Sequence, residues 1–169
     1  MQDLVATSMY EDAFVMLQDP DNEGNFLTPS RYIVGPQPLT PAVCDLNGDG
    51  KPDLAISIFG AADNANDDGV VVLLQNPASS CSFFFPSHYH TEIRAEALVI
   101  SDLNGDGKAD LIVSNSGGLS GPCPPDCGSI GTSVSILLQI QTFPGNFQEA
   151  NNYPATGLHF ITWVAVGDI

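Results

Sequence analysis

Asp45, Asn47, Asp49 and Asp53 stand in "DLNGDGKPDL", and Asp102, Asn104, Asp106 and Asp110 stand in "DLNGDGKADL". In each stretch, side-chain oxygens fall at positions one, three, five and nine, and the main-chain carbonyl of Lys51 or Lys108 is available at position seven. Hard oxygen donors at this spacing are the chemistry of calcium, and the two loops predict two calcium ions. Gly50 and Gly107 occupy position six, where a chain wrapping an ion must turn sharply, and Gly48 removes bulk beside Gly50. An EF-hand would need flanking helices and a bidentate Glu at position twelve, where Ile56 and Val113 stand instead. An ion-free turn is the plain alternative, because Asn-Gly and Asp-Gly are ordinary turn signals. Two copies with every ligand position filled speak against it.

The loops belong to a larger repeat. "FVMLQ", "VVVLLQ" and "SILLQ" end at Gln18, Gln75 and Gln139, and Phe26, Phe83 and Phe147 follow at one spacing, then Tyr32, Tyr89 and Tyr153 at another. In the same register Asp3 aligns with Asp53 and Asp110, and Asp168 aligns with Asp45 and Asp102. The chain thus opens on the tail of one acidic loop and closes on the first residue of another. It reads as a piece of a longer repeat array with Met1 an internal methionine; a short protein with degenerate end repeats is the alternative.

Short segments rich in Val, Ile, Leu and aromatics, bounded by Gly, Pro, Asn and Asp, are the grammar of strands, and no useful helical period occurs. Each unit reads as four strands. Strand A is "PAVCD", "ALVISD" or "TWVAVGD"; B is "DLVATS", "DLAISI" or "DLIVSN"; C is the segment ending in Leu-Gln; and D runs from the Phe to just past the Tyr. Radial repetition of such units is how a propeller limits its edges. The expected fold is all-β: blades of four antiparallel strands in an open arc of about three blades. The units run over about 1–38 (strands B to D), 39–95, 96–158 and 159–169 (a first strand).

In an up-and-down meander the A-to-B and C-to-D turns share one side, the lower face, which carries the acidic loops. The B-to-C connections lie on the upper face, and the distance from loop Asp to Gln grows from 15 to 22 to 29 residues across the copies. Rigid scaffolds carry recognition on such loops, so "FGAADNANDDG" and "SGGLSGPCPPDCGSIGTS" are the candidate binding surface. Drift in a tolerant surface loop accounts for the lengths equally well.

Composition sets outer limits. Four Lys plus Arg against twenty Asp plus Glu give a net charge of -16, which repels phosphate backbones and anionic membranes, so nucleic acid is not an expected partner. No apolar run is long enough to enter a bilayer, and 43% hydrophobic residues suffice for a core. No nucleophile with a base, phosphate cradle or convergent carboxylate pair points to catalysis.

"DLNGDGKPDL" followed by "VVVLLQN", then Phe and Tyr at fixed spacing, resembles the FG-GAP/VCBS repeats of integrin alpha-chain-like β-propellers. The resemblance implies a propeller, usually of seven blades, with calcium in the A-to-B hairpin and the remaining blades of the parent propeller as partners. Two function classes stay open. One is a calcium-stabilised extracellular binding or adhesion propeller that meets a protein or glycan through its upper loops. The other is the propeller portion of a secreted polysaccharide-active lyase or hydrolase.

Several residues carry secondary expectations. His88 and His90 alternate on strand D and share a face, a possible metal geometry, though exposed edge histidines are the simpler reading. Asp19, Asp21 and Glu23 sit in a C-to-D hairpin and read as a solvated turn. Trp163 is expected to pack between blades. Cys123 with Cys127, inside "CPPDC", is the simpler disulfide. Cys44 with Cys81 is feasible only if the C-to-D hairpin folds inward. Such bridges, together with calcium loops, argue for a secreted or cell-surface location.

Overall fold

In a computed structural model, which describes residues 2–60, 67–79, 82–117, 132–155 and 161–167, the chain is all-β. The strands are β1 (Leu4–Thr7), β2 (Asp12–Met16), β3 (Ser30–Ile33), β4 (Pro38–Cys44), β5 (Asp53–Ile58), β6 (Gly69–Leu73), β7 (Ser87–His90), β8 (Ala95–Ser101), β9 (Asp110–Ser116), β10 (Thr132–Leu137) and β11 (Asn151–Pro154). They form three antiparallel meanders, β1-β2-β3, β4-β5-β6-β7 and β8-β9-β10-β11. These are propeller-like blades stacked in an open arc.

The middle blade shows why its strands are continuously apolar. Period-two alternation sends Leu54, Ile56, Ile58, Val71 and Leu73 toward the first sheet, where they pack with Ala13, Val15 and Val34. Ala55, Val70 and Val72 point the other way, onto Leu98, Leu111, Val113 and Leu137 of the third sheet. A strand covered on both faces has no solvent side to make polar. Each junction is also closed by an aromatic pair. Tyr32 meets Phe83 and Tyr89 meets Phe147, both with ring centres 5.4 Å apart and planes nearly perpendicular. That is the favoured edge-to-face arrangement.

Strand limits differ from the sequence reading in two places. The C strands stop before the Leu-Gln pair, and Gln18, Gln75 and Gln139 instead form single bridges to Phe26, Phe83 and Phe147. The D strands then begin at Ser30, Ser87 and Asn151, past a break. Residues 161–167, expected to open a further blade, form no strand, and Trp163 is 81% exposed rather than packed between blades.

A polar pin recurs between blades. Strands β4 and β8 each carry a register shift, between Pro38 and Pro41 and between Ala95 and Leu98. The irregularity frees main-chain groups that a regular ladder would consume. The Thr40 amide donates to Ser57 Oγ (3.0 Å) and the Ala97 amide to Ser114 Oγ (3.1 Å), within a blade. Ser57 Oγ in turn donates to the Glu96 carbonyl of the next blade (2.5 Å), as Thr7 Oγ1 does to the Leu39 carbonyl (3.0 Å). Thr7, Ser57 and Ser114 hold one position of the repeat. Replacing Ser57 with Ala leaves the half-buried Thr40 amide without its acceptor and removes the bond to the Glu96 carbonyl, so at about 0.5–1.5 kcal/mol per bond stability should fall by about 1–3 kcal/mol. Urea unfolding should show a lower midpoint at unchanged slope; an unmoved midpoint would show that the pin contributes nothing.

Candidate metal centre

Both acidic loops close β hairpins, between β4 and β5 and between β8 and β9, and their internal geometry is the same. Asp45 Oδ1 accepts from the Gly48 amide (2.7 Å) and the Asp49 amide (3.1 Å), and its Oδ2 accepts from the Gly50 amide (2.8 Å). Asn47 Oδ1 accepts from the Asp49 amide (2.8 Å), and Asp49 Oδ1 accepts from the Lys51 amide (2.9 Å). Asp102, Asn104 and Asp106 repeat these bonds with Gly105, Asp106, Gly107 and Lys108 within 0.2 Å. Gly48 and Gly50 have φ of +77° and +81°, in the left-handed region. A Cβ on either would meet nothing within 4 Å, so Gly48 is required by backbone conformation and not, as its position suggested, to remove bulk.

Position nine behaves differently. Asp53 and Asp110 are fully buried at the head of strand B, whereas Asp45, Asp49 and Asp102 are exposed and Asp106 is half-buried. Asp53 Oδ2 accepts from the Leu46 amide (2.9 Å) and Oδ1 from the Gln75 amide (2.7 Å). Asp110 does the same with Leu103 (3.0 Å) and Gln139 (2.9 Å). Burial pushes the Asp53 carboxyl above the usual range; the two amides oppose this, and Asp49 and Asp45 add repulsion. At Asp106 burial also acts upward, but bonds from Gln141, the Lys108 amide and Asn104 outweigh it and hold the carboxyl low.

The chain spends its few cations elsewhere. Lys51 Nζ donates to the Pro77 carbonyl (2.9 Å) and Lys108 Nζ to the Gln141 carbonyl (2.6 Å), clamping each loop to the C-to-D hairpin of its blade. Arg31 pairs with Asp12 at 2.7 Å, and Arg94 lies over the Phe59 ring. The donors around each loop are therefore all oxygen, with three carboxylates, and these residues fit a hard divalent cation in kind. Asp45, Asn47, Asp49, the Lys51 carbonyl and Asp53 would hold one ion, and their five counterparts a second. Each oxygen of Asp53 accepts a single amide and keeps a further lone pair. Among the described residues no three His, Cys, Asp or Glu side chains already converge.

The other expectations separate. Asp19 Oδ1 and Oδ2 accept from the Asp21 amide and Asn22 Nδ2, and Asp19, Asp21 and Glu23 are exposed, as in a solvated turn. His88 and His90 lie side by side on β7. Cys44 is half-buried with its thiol toward the Asp45 carbonyl (3.7 Å); Cys81, Cys123, Cys127 and Asp168 lie outside the described residues, as does most of both upper-face loops.

Two roles escaped sequence reasoning. Gln139 Nε2 donates to the Leu46 carbonyl of the preceding blade's loop (2.7 Å) and to the Ala109 carbonyl (3.1 Å). Its invariant place after each C strand was visible, but its partners lie far away in the chain. The position-nine carboxylates also tie the loop to the end of strand C. Exchanging Asp53 for Asn sets an NH2 group against one of two buried amides, which should cost about 1–3 kcal/mol. Hydrogen exchange of the Leu46 and Gln75 amides should quicken; unchanged protection would show that the tie is dispensable.

Comparison with known proteins places these blades. A family model described as FG-GAP-like repeat matches residues 1–56, and one described as FG-GAP repeat matches residues 95–124. No curated protein and no solved structure matches the chain. The two repeat matches span two separate acidic-loop and strand-B units of a chain built from propeller-like blades, and the chain is an FG-GAP repeat protein.

Proposed function

We propose that the chain is part of a calcium-stabilised extracellular propeller that binds a protein or glycan through its upper-face loops, with further blades completing the ring. What carries the calcium reading is the pair of geometrically matched acidic loops whose lysines donate to hairpin carbonyls instead of the loop carboxylates. A chain of net charge -16 has no spare cations to neutralise these carboxylates, so an external divalent ion does so most economically. Oxygen-lined sites of this kind are filled at extracellular calcium levels, which supports an exterior location. The binding role rests on the length variation of the B-to-C connections on a rigid scaffold.

Isothermal titration should find two calcium ions, and Asp49→Ala and Asp106→Ala should each remove one. With free calcium about a hundredfold over the dissociation constant, each independent site adds roughly 2.7 kcal/mol to folding. A melting temperature indifferent to chelator, with no calcium uptake by folded protein, would sink the proposal. For location, non-reducing peptide mapping of protein from its native compartment should recover the Cys123–Cys127 bridge; four free thiols there would remove the cysteine argument for secretion.

A further inference from the structure

His88 and His90 alternate on β7, the outermost strand of the second sheet, and both are exposed. Their ring centres are 4.8 Å apart and their planes are inclined at 58°. Two imidazoles held on one ion by metal–nitrogen bonds of about 2.0–2.1 Å, at about 90–110° to each other, have ring centres about 4.5–5.2 Å apart. The observed separation falls inside that interval.

A further feature suits a ligand pair. Directly across the ladder His90 pairs with Gly69, so no side chain of that partner fills the space beside its ring. The Asp67 carboxylate adds negative potential near His88.

We propose that His88 and His90 jointly bind one divalent transition metal ion of the nickel, copper or zinc class, with water completing its coordination. Imidazole nitrogen suits these ions, whereas calcium takes oxygen, so the site is independent of the acidic loops. No third His, Cys, Asp or Glu side chain converges there among the described residues, so coordination positions stay open to solvent.

The test is calorimetric titration of the full chain with Ni2+ in excess calcium. One Ni2+ per chain is expected, with His88→Asn and His90→Asn each weakening binding at least about tenfold and the double variant losing it. Both side chains are exposed on an outer strand, so the variants should melt with the parent protein. Asp106→Ala should leave nickel affinity unchanged. Absence of nickel uptake, or uptake that the double variant retains at parental affinity, would overturn the proposal.

Discussion

A carboxylate at the head of each B strand is the constraint around which the blade is arranged. Asp3, Asp53 and Asp110 each accept the main-chain amide of the glutamine that follows strand C, at 2.9, 2.7 and 2.9 Å. In the two whole loops the second carboxylate oxygen accepts a loop amide as well. A carboxylate withdrawn from water must have its oxygens satisfied, and these amides do so from two different chain segments. The bond therefore fixes where strand C ends, which way the loop returns and how closely hairpin and strand approach.

From that anchor the geometry passes to the neighbouring blade. The third blade's Gln139 has its amide on Asp110 and its side chain on the Leu46 carbonyl, inside the second blade's loop. The lower face is thus one connected set of hydrogen bonds running across a blade junction. Apolar packing supplies most of the cohesion between blades, and it is not directional. The serine and threonine pins, the glutamine and the paired aromatic rings set the register in which one sheet meets the next.

The third blade shows how far that frame tolerates polar residues. Asn115, Ser133 and Ser135 stand buried on β9 and β10, where the second blade has Ile58, Gly69 and Val71. Asn115 Nδ2 donates to Ser133 Oγ and Ser135 Oγ, Ser135 Oγ donates to Asn152 Oδ1, and Asn152 Nδ2 donates to Glu92 Oε1. The chain of bonds leads a buried amide out to a half-buried carboxylate and offsets much of the desolvation, although Asn115 Oδ1 finds no partner among the described residues.

By itself the sequence determined the repeat, the four-strand unit, the two acidic loops and the sides on which connections fall. Each follows from local pattern: period-two alternation, turn residues at fixed offsets and oxygen donors at alternate positions. Only the tertiary structure decided what those residues do for one another. It made Asp53 and Asp110 buried anchors while Asp45 and Asp49 stay exposed, because burial depends on the strand packed opposite and not on spacing within a loop. It ended the C strands before their glutamines, since the Asp carboxylate takes an amide that would otherwise continue the ladder. It left Trp163 exposed, and it turned Ser57 from an ordinary strand residue into a junction pin. A hydroxyl's role depends on which carbonyl reaches it, and here that carbonyl, Glu96, belongs to the next blade.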